Sequence, residues 1–93
     1  MATLSRQEAE EKLKSLQGWT IDGNTIRKQY TLRDFPAAVA FVSRLVPEAE
    51  SSDHHPDITI NYRKVTLVYS THSEGGLTRK DFDGAHTADE LVR

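Results

Sequence analysis

The chain contains four histidines, His54, His55, His72 and His86. Imidazole is the side chain whose unperturbed pKa lies nearest neutrality, so it can give or take a proton there. His54 and His55 are adjacent within "ESSDHHPDITINY", which runs from Glu50 to Tyr62. Pro56 follows them and biases His55 towards an extended backbone. The pair stands at the mouth of a predicted third strand, and His72 stands at the far end of a predicted fourth. Antiparallel neighbours joined by a short turn bring the start of one strand and the end of the next to the same sheet end. Three histidines separated in sequence thereby become one cluster. His86 falls on the last predicted helix and is read as a bystander.

Two chemistries fit such a cluster. Imidazoles beside a carboxylate can act as general acid and base, or three imidazoles and an acid can hold zinc. Spacing favours the first. Adjacent histidines diverge in an extended chain, and no H-x-H, H-x-x-x-H or H-E-x-x-H pattern occurs. Glu50 and Asp81 are the candidate acids. Asp81 has a structural duty too, because Thr78 and Asp81 have the spacing of a capping box, in which the acid is the third helical residue.

The elements that must position these groups follow from local patterning. Ser5 and Glu8 have the S-x-x-E spacing of a capping box and open a first helix with the apolar stripe Ala9, Leu13, Leu16. Gly18 is expected in the left-handed position just past its end. Trp19 and Ile21 alternate in a first strand, Asp22-Gly23 is read as a two-residue hairpin turn, and Ile26, Tyr30 and Leu32 share one face of a second strand. Asp34 is expected to cap a second helix with Pro36 in its first turn. Phe35, Ala38, Val39, Val42, Leu45, Val46 and Ala49 form its predicted buried face. Pro47 is expected to kink or end that helix.

Ile58, Ile60 and Tyr62 alternate in the third strand, and Val65, Leu67 and Tyr69 in the fourth, with Arg63-Lys64 as the predicted turn. Trp19 and Tyr62 are read as strand residues with rings to bury. On the fourth strand Val68, Ser70 and His72 should share the open face, with Gly75-Gly76 allowing a sharp turn beyond. Leu77 and Phe82 suit a hydrophobic staple around the Thr78 cap. Phe82, Ala85, Ala88 and Val92 mark the apolar side of a third helix. Gly84 inside it costs about 1 kcal/mol relative to alanine. The predicted order is α-β-β-α-β-β-α. This is an α+β fold, a four-stranded antiparallel sheet with three helices on one face.

Composition narrows the function classes. The 93 residues are expected to form a single domain, 1–93. A 37% hydrophobic, 28% charged chain is ordinary for a globular protein. A net charge of -2 offers no basic field for nucleic acid. With no cysteine, thiolate chemistry, disulfides and cysteine-type zinc sites are excluded. No apolar run approaches a membrane span, and no signal peptide is read at the N-terminus, so a cytoplasmic location is expected.

The spaced set Glu50, His54, His55, Pro56, Tyr62, His72 and Asp81 resembles the signature of the pterin-4a-carbinolamine dehydratases. The "STH" of Ser70 to His72, the "GGLT" of Gly75 to Thr78 and the "GW" of Gly18-Trp19 match as well, so the resemblance covers nearly the whole chain. It implies a lyase that removes water from 4a-hydroxytetrahydrobiopterin to give quinonoid dihydropterin. That reaction serves tetrahydrobiopterin recycling after an aromatic amino acid hydroxylase. It implies no metal or organic cofactor. It gives His54, His55 and His72 acid–base roles; Glu50 and Asp81, which match signature positions, are read as supporting acids that orient and charge-tune the histidines. Asp53, His54, His55, Ser70, Thr71, His72 and Ser73 would line the pterin. Homodimers or homotetramers are implied too.

The chain departs from the pattern at Asp53, where animal relatives often carry asparagine, and at Pro47. Two other functions remain open from the resemblance. One is a protein-binding module, since animal relatives act as a dimerisation cofactor and transcriptional coactivator. The other is a pterin-binding protein of another pterin pathway.

Overall fold

The computed structural model describes residues 3–92; residues 1, 2 and 93 lie outside the description. The elements are α1 (Arg6–Leu13), β1 (Thr20–Asp22), β2 (Thr25–Thr31), α2 (Phe35–Ser52), β3 (Asp57–Asn61), β4 (Lys64–Tyr69) and α3 (Arg79–Leu91), with a short 3₁₀ turn at His72–Glu74 before α3. The order is the predicted α-β-β-α-β-β-α. All strand pairs are antiparallel, in the spatial order β1-β2-β4-β3. The second hairpin is therefore folded so that β4 lies inside the sheet and β3 forms an edge.

Alternation decides what the sheet buries. Ile26 and Tyr30 of β2 and Val65, Leu67 and Tyr69 of β4 point into one core with Phe41 and Leu45 of α2 and Phe82, Ala85 and Ala88 of α3. Trp19 joins them, whereas Tyr62 does not: it is exposed at the β3–β4 turn. The pairing Asn61↔Lys64 makes Tyr62-Arg63 the central turn residues, one position earlier than the Arg63-Lys64 expected. Tyr62 accordingly takes a positive φ of 58°, which bulky residues rarely adopt. The first hairpin turn also shifts by one. Asp22 pairs with Thr25, so Gly23-Asn24 is the loop, with Gly23 at φ 60°.

Both capping boxes are present, at Ser5/Glu8 and Thr78/Asp81, and Leu77 and Phe82 beside the second are buried. Gly18 is left-handed at φ 83° as expected, but α1 has already ended at Leu13 and turns lead to the glycine.

Two expectations for α2 require correction. The helix passes through Pro47 to Ser52. Proline removes one donor, leaving the Ser43 carbonyl without its usual partner. Ser43 and Pro47 are both exposed, so water can serve that carbonyl. The buried face is also narrower than its apolar pattern. Ala38, Phe41 and Leu45 are buried, but Phe35, Val39 and Val46 are 51%, 40% and 53% exposed. At about 100° per residue, those three form a second stripe roughly a quarter-turn round from the first, and the sheet fills only one. Ile58 and Ile60 of edge strand β3 pair with the core residues Leu67 and Val65, yet they stay partly exposed at 40% and 37%.

Candidate active site

The paired histidines emerge where α2 stops. Asp53 adopts a left-handed φ of 52°. Its amide donates to Glu50 O and the His54 amide donates to Ala49 O, the two bonds of a Schellman end. Aspartate and asparagine tolerate this conformation better than most residues. The chain is thereby turned off the helix axis, and His54 is directed inwards while His55 stays outside.

His54 is nearly enclosed. Its Nε2 lies 2.7 Å from Oδ1 of Asp81, whose side chain is wholly buried. The other oxygen, Oδ2, accepts from the Thr71 hydroxyl at 2.8 Å and from the Thr78 amide at 2.9 Å. Thr71 and Thr78 hydroxyls are 2.8 Å apart as well. One carboxylate thus joins the end of β4, the start of α3 and the segment after α2. An ionised carboxylate only accepts. On that footing His54 donates through Nε2, which leaves Nδ1 as the acceptor nitrogen of a neutral ring. Stripping away the carboxylate would leave buried donors unpaired, at about 1–3 kcal/mol each.

His55 and His72 are held more loosely. His55 Nε2 is 2.6 Å from Oε2 of Glu50, and both side chains are largely exposed. His72 does not extend β4, as strand parity required; it opens the 3₁₀ turn, exposed, with Nε2 3.2 Å from the Ser70 hydroxyl. The turn is closed by paired backbone bonds between Thr71 and Gly76 and by left-handed Gly75 at φ 78°. Because Thr71 is bonded to Asp81, this turn and His54 share one anchor. No hydrogen bond joins His72 to His54 or His55 among the described residues. Ser73 is exposed in the same turn. His86 lies apart, 3.3 Å from the Ser15 hydroxyl. Among the described residues no group of three or more His, Asp or Glu side chains is arranged to hold a metal ion.

Sequence reading passed over Tyr69 as a neighbour of the cluster. Its ring stacks on His54 with centroids 5.9 Å apart and planes 19° from parallel. Both residues line a cleft of about 130 Å³ between α2 and α3, with Ala49, Ser52, Lys80 and Gly84. Parity showed that Tyr69 faces inwards, but no local signal told which ring it would meet. Asp89 was passed over too. It accepts from Trp19 Nε1, Lys28 Nζ and the Tyr30 hydroxyl, at the opposite end of α3 from Asp81.

The comparisons with known proteins place the chain in one family. The family model described as pterin 4 alpha carbinolamine dehydratase matches residues 2–91. The chain belongs to that family. Relatives named putative pterin-4-alpha-carbinolamine dehydratase include one from Roseiflexus sp. (strain RS-1), 55% identical, covering 99% of this chain and 100% of the relative. Another, from Nostoc sp. (strain PCC 7120 / SAG 25.82 / UTEX 2576), is 46% identical over 95% of each. The crystal structure of a transcriptional coactivator/pterin dehydratase from Brucella melitensis superposes with a TM-score of 0.93 at 31% identity, over 98% of this chain and 99% of that one. A pterin dehydratase-like RuBisCO assembly factor of the alpha-carboxysome shares the fold, at TM-score 0.65 and 17% identity, over 80% of this chain and 86% of that one.

Burial pushes the Tyr69 phenol up from 10.0 to about 12, with the Asp81 charge adding to it. Tyr30 is raised further, by burial and then by Asp89. Both hold their protons more tightly in the folded state than in the unfolded one. Their contribution to stability is complete below pH 10 and is lost as the pH rises through the folded values. Urea unfolding at a series of pH values should show stability falling between pH 10 and about 12. The fall should be smaller in Tyr69→Phe, which lacks the titrating phenol. An equal fall in both proteins would contradict the assignment.

Proposed function

We propose that the chain is a hydro-lyase that removes water from a 4a-hydroxytetrahydropterin, with 4a-hydroxytetrahydrobiopterin as the substrate in view. The observation that carries this reading is His54 fixed by a buried carboxylate that is also tied to the turn bearing His72. The elimination breaks the C4a–O bond. A proton must reach the departing hydroxyl, a ring nitrogen must lose one, and the electron pair of that N–H bond becomes the new C=N bond of the quinonoid dihydropterin. Water and the quinonoid product balance the substrate, so no oxidant or cofactor enters. Two imidazoles in opposite protonation states can perform both transfers near neutral pH.

His54 and His72 are the main proton-transfer pair in this reading, and His55 positions or assists. Asp81 orients His54 as the buried aspartate of a hydrolase triad orients its histidine. Glu50 does the same, more loosely, for His55. Asp53, Ser70, Thr71 and Ser73 line the pterin. Such an activity returns oxidised pterin to a reductase after an aromatic amino acid hydroxylase has acted, in the cytoplasm. Family membership and the relatives' names support the reaction class.

The rate of dehydration of freshly generated 4a-hydroxytetrahydropterin, followed by ultraviolet absorbance, tests this directly. The wild-type protein should exceed the spontaneous rate, and a chelator should leave that acceleration intact. His54→Ala and His72→Ala should each lower it by about 10²- to 10⁴-fold, the usual worth of a positioned acid or base. Near-wild-type rates in both variants would remove these histidines from the mechanism.

A homodimer or homotetramer belongs to the same proposal. The exposed stripe Phe35, Val39 and Val46 on α2, and Ile58 and Ile60 on the free edge strand, are the apolar surface that association would cover. The same surface would serve a protein partner if the chain also acts as a transcriptional coactivator, the description its Brucella relative carries. Sedimentation should show a species of at least twice 10.5 kDa. A 10.5 kDa species alone would contradict self-association.

A further inference from the structure

We propose that Tyr69 is a positioning residue for His54, and that Gly84 lacks a side chain so that the Tyr69 ring can lie against the imidazole. The role rests on the acid–base reading of His54 given above.

The Asp81 bond fixes one atom of the imidazole, Nε2. A single hydrogen bond leaves the ring plane free to pivot about it, and the outer torsion of histidine is intrinsically broad. Nδ1, at the other side of the ring, would swing through the widest arc. The Tyr69 ring lies nearly parallel to the imidazole, 5.9 Å away, and removes that freedom from one face. Tyr69 is itself immobilised, only 4% exposed, with the Trp19 ring 6.0 Å distant.

Gly84 explains how the ring fits. It lies inside α3, where glycine is less favourable than alanine. Its φ is not among the positive values that would require glycine. A Cβ built there would stand 2.6 Å from Tyr69 Cε1 and 2.8 Å from Cζ, closer than such atoms approach. Any side chain at position 84 must push the ring, or the helix, away. The Tyr69 hydroxyl makes no hydrogen bond among the described residues. The ring, rather than its hydroxyl, is therefore the working part.

The test uses Tyr69→Phe, Tyr69→Leu, Gly84→Ala and the double variant Tyr69→Leu/Gly84→Ala. Dehydration is measured as kcat and KM, and the His54 ring protons are followed by NMR in the ligand-free protein. Tyr69→Phe should keep both the wild-type kcat and the ring-current shift of His54. Tyr69→Leu and Gly84→Ala should each lower kcat by about ten- to a hundredfold, the cost of a misplacement near 1 Å, with KM moving less. Their effects should not add, because Gly84 acts through Tyr69. His54 should lose its ring-current shift in Tyr69→Leu. Gly84→Ala removes no core atom and favours the helix, so it decides the matter if Tyr69→Leu does not fold. Wild-type kcat in a folded Tyr69→Leu, or in Gly84→Ala, would overturn the proposal. If the wild-type protein itself shows no dehydration, the functional reading fails, and an unchanged His54 resonance in Tyr69→Leu and Gly84→Ala would separately overturn the positioning role of Tyr69.

Discussion

The buried carboxylate of Asp81 is the constraint on which the site depends. A charge withdrawn from water is tolerated only when its oxygens find donors. Here the donors come from three parts of the chain: the Thr78 amide at the start of α3, the Thr71 hydroxyl just beyond β4, and the His54 ring just beyond α2. Satisfying one acid therefore ties the distant His54 to two nearer segments, at Thr71 and Thr78. The same residue caps α3, so the start of that helix and the site share one anchor. At the other end of that helix, Asp89 gathers Trp19, Lys28 and Tyr30. Two carboxylates eight positions apart thus hold α3 against the sheet at both ends.

This scheme divides the histidines by burial. His54 is held at its edge by Asp81 and across its face by Tyr69. His55 and His72 are exposed, each with one polar partner. A rigid imidazole with one free nitrogen suits a proton transfer of fixed geometry. Exposed imidazoles on a turn and at a helix exit can adjust as a ligand arrives. The left-handed Asp53 produces the difference between the adjacent pair, because it turns the chain between the end of α2 and the two rings.

Much of this was legible because it is written in local rules. Alternation in β4 gave its buried face, and hairpin geometry placed both sets of histidines at one sheet end. The capping spacing of Thr78 and Asp81 located the acid in the first turn of α3. Failures came where a local rule met a longer-range preference. The apolar pattern of α2 is wider than the surface the sheet offers, so Phe35, Val39 and Val46 remain outside. Pro47 breaks a bond at an exposed position, and the remaining turns carry the helix onward. Both hairpin turns lie one residue from the expected position, at Gly23-Asn24 and Tyr62-Arg63, as the strand registers Asp22↔Thr25 and Asn61↔Lys64 require. Strand parity could not be extended to His72, since β4 ends at Tyr69. The stack of Tyr69 on His54 and its dependence on Gly84 join residues 15 to 30 positions apart; only the odd helical glycine hinted at it.

Asp81 holds His54 by Nε2, and the proposed function requires Nδ1 to be free to exchange a proton with the pterin. Nitrogen-15 NMR of the imidazole in its neutral form reads this directly, because protonated and bare ring nitrogens resonate far apart. The expected result is a hydrogen on Nε2 of His54 and a bare Nδ1. A hydrogen on Nδ1, with Nε2 bare towards the carboxyl group, would make Asp81 the donor and would contradict it.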